Sequence, residues 1–145
     1  MKHSFRQIEF KSINWIQSIA LRYEILRKPL SLMFNSEELF KESQERVFGV
    51  FIGELLVSTA NCVLLDNCVK ARQFATLGEY QNLGIGTYLI SNIEKEIQNM
   101  GVARIEMNAR KESLNFYLKI GYSTIGTEFI EVGIPHYKIY KNFSS

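Results

Sequence analysis

The chain has 145 residues, about one domain at ~150 residues per domain, and its 46% hydrophobic and 22% charged residues are an ordinary globular balance. Lys and Arg number 17 against 15 Asp and Glu, a formal charge of +2, which excludes the polybasic footprint of a nucleic-acid binder. Cys62 and Cys68 form neither a disulfide framework nor a zinc pattern, and no run approaches the ~18 apolar residues of a membrane span or a signal-peptide core.

The expectation is therefore a single domain over residues 1–145, cytoplasmic, with no metal, nucleic-acid or membrane partner. Ser4 to Phe10 alternates like a short strand. Ile16, Ile19, Ala20, Tyr23 and Leu26 then recur at helical spacing, with Asn14 as candidate N-cap and Pro29 as the stop. Ser36 precedes a short helical stretch through Phe40. Val47 to Ile52, Glu54 to Leu65 and Cys68 to Leu77 read as three strands, the last two joined by an Asp66-Asn67 turn. Such short connections make this meander antiparallel.

The character changes after residue 80. Ile85, Leu89, Ile93 and Ile97 form an i, i+4 ladder that ends near Gly101. Val102 to Ala109 reads as a strand with Ile105 and Met107 on one face and Arg104, Glu106 and Asn108 on the other. A helix over about Lys111 to Ile120 ends at Gly121, and two strands close the chain near Tyr122 to Glu131 and Tyr137 to Phe143. A right-handed crossover around the long helix makes its two flanking strands parallel neighbours or near neighbours. The fold class is α+β: a mixed, mostly antiparallel central sheet of about six or seven strands flanked by helices.

The turn before the long helix carries the chemistry. A strand through Phe74, Ala75 and Thr76 runs into Gln81-Asn82-Leu83-Gly84-Ile85-Gly86-Thr87. The first amides of a helix have no internal acceptor, and the dipole adds partial positive charge there. Glycines at 84 and 86 let an anion approach that backbone, so a phosphate or pyrophosphate is the natural guest. The Walker Gly-Lys-Ser/Thr is absent, and Leu89 with the preceding meander argues against a dinucleotide fold. Glycines that merely let helix and strand pack closely remain the competing reading.

Gln81-x-x-Gly84-x-Gly86 resembles the acyl-CoA signature of the GNAT superfamily of N-acetyltransferases, and the element order is similar to that fold. Met107-Asn108-Ala109-Arg110, Asn115-Phe116-Tyr117 and Ile120-Gly121-Tyr122 resemble a second family segment. Glu131 to His136 is similar to the ending of the ElaA branch of small bacterial members. The matches are strongest over residues 70 to 140. Asn82-Leu83 stands where Gly-Lys is common, Gly78 where proline is frequent and Thr76 where valine is frequent, which bears on cofactor affinity.

The resemblance implies acetyl transfer from acetyl-CoA to a primary amine of a small molecule or amino-acid-like acceptor by direct attack in a ternary complex. It implies that Phe74, Ala75 and Thr76 pair with the pantetheine amides, with the Ala75 or Thr76 amide as oxyanion donor. Residues 81 to 87, namely Gln81, Asn82, Leu83, Gly84, Ile85, Gly86 and Thr87, would hold the pyrophosphate. Asn108 would bond the pantetheine arm, or cap a helix. Tyr117 would stand beside the sulfur as the acid, or serve as a core aromatic with Leu114 and Leu118.

The base is open between His136, Glu54, Glu106 and a water chain. His136, Arg22 and Arg72 are candidate substrate contacts; Arg22 and Arg27 also fit a solvated helix face. A non-catalytic acyl-CoA sensor on the same scaffold and a purely structural domain are the readings of other classes. A homodimer through the closing strands is compatible with the pattern.

Overall fold

A single seven-stranded sheet runs through the computed structural model, which describes residues 2–143. The strands are β1 (Ser4–Ile8), β2 (Arg46–Ile52), β3 (Leu55–Leu64), β4 (Val69–Thr76), β5 (Arg104–Arg110), β6 (Ser123–Glu131) and β7 (Ile134–Asn142). Their spatial order is β1-β2-β3-β4-β5-β7-β6. All neighbours are antiparallel except β4 and β5, the pair joined by the helical crossover.

Four α-helices cover the sheet: α1 (Ile13–Arg22), α2 (Ser36–Lys41), α3 (Ile85–Asn99) and α4 (Leu114–Lys119). The expected ladder of α3 is its inner face, with Ile85, Leu89, Ile93 and Ile97 all buried. Each contributes about 2 kcal/mol by leaving water, and together they seat α3 on Val69, Ala71, Ile105 and Met107. A second core under α1 joins Ile8, Leu21, Val47, Phe51, Leu56 and Ala75.

Three local expectations change. The cap of α1 is Ser12, whose Oγ accepts from the Trp15 amide at 3.1 Å; Asn14 lies inside the helix and bonds Gln17. Beyond Arg22 the helix does not run on as α to Pro29: Tyr23–Arg27 is a π turn and Lys28–Leu30 a 3-10 turn. The last connection is only Val132-Gly133, both at positive φ (47° and 76°), so β7 begins at Ile134 rather than near Tyr137. That pair of left-handed residues is the geometry of a two-residue hairpin turn.

The sheet opens between β4 and β5. β4 and β5 pair only at Val69↔Ile105 and Lys70↔Glu106, then diverge. On the other edge of β4, Asn61 faces Arg72 and Thr59 faces Ala75, so Ala60 alone opposes Gln73 and Phe74. Gln73 is at φ 57°, the left-handed backbone of a bulge. The bulge bends β4 away from β5 and opens the wedge in which the site lies.

Candidate functional site

The wedge is a cleft of about 1310 Å³. Phe74, Ala75, Thr76, Gln81, Asn82, Gly84, Gly86, Thr87, Asn108, Tyr117, Arg72 and His136 all line it, so one cavity gathers most of the residues expected from sequence. Leu83 and Ile85 do not: the Leu83 side chain is exposed and that of Ile85 lies in the core under α3.

The register of β4 decides which main-chain groups are free. Leu77 N–H donates to Val57 C=O at 2.9 Å, and Thr76 faces Ser58 in the adjacent pair. In an antiparallel ladder bonded and non-bonded pairs alternate, so the Thr76 N–H and C=O point away from β3, into the wedge. The Ala75 amide turns to β3 instead. Of the two expected oxyanion donors, Thr76 therefore faces the cleft and Ala75 does not. Gln81 Nε2 donates to the Thr76 carbonyl at 3.0 Å, clasping the Gly-rich turn to the end of β4.

Helix α3 starts at Gly84 (φ 80°) without a side-chain cap. The first intrahelical bond there is Tyr88 N–H to Gly84 C=O, at 3.0 Å. The amides of Ile85, Gly86 and Thr87 precede it and have no acceptor in the helix. A Cβ built at Gly84 meets nothing within 4 Å, and one at Gly86 meets only Phe116, at 3.9 Å. The space beside these amides is open, which favours an anion seat over mere close packing.

Tyr117 of α4 is buried against Phe74, Phe116 and Tyr122, and burial pushes its hydroxyl up to about 12. It is therefore both a core aromatic and a protonated donor on the cleft wall. Asn108 does not cap a helix; its amide donates to Glu131 Oε1 at 3.2 Å. His136 is buried, with Nδ1 2.7 Å from the Ile134 carbonyl oxygen and Nε2 3.5 Å from Glu131 Oε2.

Arg72 is part exposed, with Glu45 at 4.0 Å. Arg27 also lines the cleft; it is forked onto Glu38 by two 3.2 Å bonds and its guanidinium stacks 4.1 Å over Phe34.

Arg22 is a correction. It is wholly buried and absent from the cleft lining, gripped by Glu42 through two 2.8 Å bonds with further bonds to Ser18 and Gln73. A guanidinium saturated inside the protein has no donor left for substrate. Glu54 sits exposed in the β2–β3 turn. Glu106 is held below the usual carboxylate range by its bond to Arg104 and by Lys138. Neither lines the cleft, so neither is placed to act as the base. Burial pushes the Cys62 thiol up to about 12 and Cys68 upward as well, leaving both as poor nucleophiles.

The residue that sequence reasoning missed is Glu131. The signal available was the Val132-Gly133 turn, which sets Glu131 across from Ile134 and two residues along the same strand face from the partner of His136.

The family described as "Acetyltransferase (GNAT) domain" matches residues 29–143. The Bacillus subtilis (strain 168) protein YyaT is 27% identical over 61% of this chain and 60% of its own, so the match spans about three fifths of that relative. The uncharacterized N-acetyltransferase YitI of the same organism is 29% identical over 92% of this chain and 95% of its own. A Lactobacillus plantarum structure assigned to the N-acetyltransferases shares the fold at TM-score 0.87 and 17% identity, covering 99% of this chain and all of that one. PaiA N-acetyltransferase of Thermoplasma acidophilum, solved with coenzyme A, superposes at TM-score 0.77 with 15% identity, covering 99% and 100%. Escherichia coli ElaA does so at TM-score 0.80 with 15% identity, covering 97% and 99%. Among the described residues no helix is long and apolar enough to cross a membrane.

Proposed function

The chain belongs to the acetyltransferase (GNAT) family, and we propose that it moves an acetyl group from acetyl-CoA to a primary amine of a small-molecule acceptor within one ternary complex. The observation that carries this reading is the open wedge between β4 and β5, with the Thr76 amide turned into it and Tyr117 on its wall. A pantetheine arm can enter as an extra strand along the open edge of β4 beside Phe74 and the Thr76 amide. Its diphosphate then reaches the uncapped amides of α3. The coenzyme A bound to the Thermoplasma relative, which shares this fold, supports the same ligand here.

Three demands define the chemistry. A lysine-like amine, with a pKa of ~10.4, must be neutralised at a cost of roughly 5 kcal/mol at pH 7. The Thr76 amide, turned into the cleft, stabilises the oxyanion that forms on attack. Tyr117 serves the leaving sulfur as a hydrogen-bond donor. With its pKa raised to about 12, handing the proton over fully to a thiolate (pKa ~8.5) is uphill by roughly 5 kcal/mol. The thiolate therefore takes its proton from the attacking nitrogen while Tyr117 stabilises the charge.

The test is calorimetric titration with acetyl-CoA followed by thiol release with a panel of amines. Micromolar binding and amine-dependent release are expected. Absence of binding at high micromolar acetyl-CoA would overturn the assignment.

A further inference from the structure

Asn108, Glu131 and His136 come from three strands and meet on one wall of the cleft. The Ile134 carbonyl can only accept, so its 2.7 Å contact puts a proton on Nδ1 of His136. In the neutral ring Nε2 is then a bare lone pair. That lone pair faces Glu131 Oε2 at 3.5 Å, while Asn108 holds the other oxygen, Oε1, at 3.2 Å. Asn108 takes Oε1 and Ile134 takes Nδ1, which leaves Oε2 and Nε2 as the polar atoms of the pair that meet at 3.5 Å. An ammonium group arriving from the cleft can donate to both atoms.

Among the described residues no other side chain bonds to Glu131 Oε2 or His136 Nε2. Phe129 stacks on the His136 ring from β6 with centroids 5.9 Å apart. Arg110, across from His136 on β5, is drawn toward Glu112 at 3.9 Å. Glu131 is half exposed and both residues line the cleft, so the pair opens into the cleft.

We propose that Glu131 and His136 are the seat of the acceptor's protonated amine, an inference that rests on the acetyl-transfer reading. Glu131 draws the ammonium in, and His136 Nε2 takes one of its protons. The freed lone pair forms the C–N bond to the thioester carbon, and the C–S bond breaks with its electrons leaving on sulfur. The second proton lost by nitrogen goes to that sulfur, giving amide and free thiol; His136 returns its own proton to water. The seat selects aliphatic amines, which arrive as cations, over arylamines, which are neutral at pH 7 and gain nothing from Glu131.

Thiol release with tyramine, spermidine and aniline, in the wild type and in Glu131→Gln, tests this. The substitution should raise KM for tyramine or spermidine about tenfold or more, because it removes a charge-assisted bond, with KM for acetyl-CoA unchanged. Aniline should be a poor acceptor in both. Independently, long-range 1H–15N spectra of the His136 ring, assigned with His136→Gln, should show the Nδ1–H tautomer at neutral pH. An Nε2–H tautomer or an imidazolium there overturns the seat, and this readout decides even where neither alkylamine is acetylated. Unchanged amine KM in Glu131→Gln, with acetyl-CoA still bound, overturns the seat alone. Failure to bind acetyl-CoA overturns the transferase reading and the seat with it.

Discussion

Arg22 of α1 donates from its guanidinium to Gln73 Oε1 at 3.2 Å, and Gln73 is the left-handed residue of the β4 bulge. A buried ion pair, Arg22 with Glu42 at 2.8 Å, is thus tied to the β4 bulge beside the opening of the sheet. Trp15 Nε1 adds a 2.9 Å bond to the same Glu42 carboxylate. The network spans α1, the turn after α2 and β4, and it holds the bulge from behind.

Arg22→Ala should therefore destabilise the fold by about 3–5 kcal/mol, the usual result of leaving a buried carboxylate unpaired. Urea unfolding at pH 7 measures it. A loss below 1 kcal/mol would mean that the pair is dispensable.

Gly86→Asp should separate stability from binding. A carboxylate in the first turn of α3 favours the helix dipole by about 0.3–1 kcal/mol, and the built Cβ meets only Phe116, at 3.9 Å. The same charge repels a diphosphate. Thermal melting should hold steady or rise while acetyl-CoA affinity falls at least about tenfold; affinity equal to wild type would remove the anion from this helix end.

Tyr117→Phe keeps the aromatic packing on Phe74 and Tyr122 and deletes only the donor. Turnover should drop by about 10²-fold with acetyl-CoA affinity within a factor of two or so of wild type. Calorimetry and steady-state kinetics on the same preparation report both, and unaltered turnover would take Tyr117 out of the chemistry.

Stability should fall in alkali. Burial pushes Cys62 and Tyr117 up to about 12 in the folded protein, and Tyr122 is also raised. In the unfolded chain these groups ionise at their ordinary ~8.5 and ~10. Between those values and about 12 the unfolded state holds fewer protons, so stability declines with rising pH by roughly 1.4 kcal/mol per unit for each group. Urea midpoints should be flat from pH 7 to 8, within the effect of these groups, and drop progressively from 9 to 11. A flat profile to pH 11 would show that these groups ionise without unfolding.

Local patterns in the chain carry much of the outcome. The α3 ladder, the alternation of β5, the turn at Gly84 and Gly86 and the order of elements depend on neighbours a few residues apart, and periods of 3.6 and 2 record them directly. The placement of Phe74, Thr76, Asn108 and Tyr117 around one cleft follows once those elements are folded by the crossover rule.

What no local pattern records is which surface a polar side chain meets. Arg22 has the same helical spacing whether it faces water or a glutamate 20 residues away; only the packing of the turn after α2 against α1 buries it. The choice of Thr76 over Ala75 depends on a bulge at Gln73, which shifts every later residue of β4 by one place in the ladder. Glu131 and His136 look unrelated in the chain until the β6–β7 register brings them onto one face and β5 lends Asn108 to hold the carboxylate. Short-range periodicity decides what a segment becomes, but strand register and helix packing are long-range, and they alone determine which charges are spent inside the fold and which are left for chemistry.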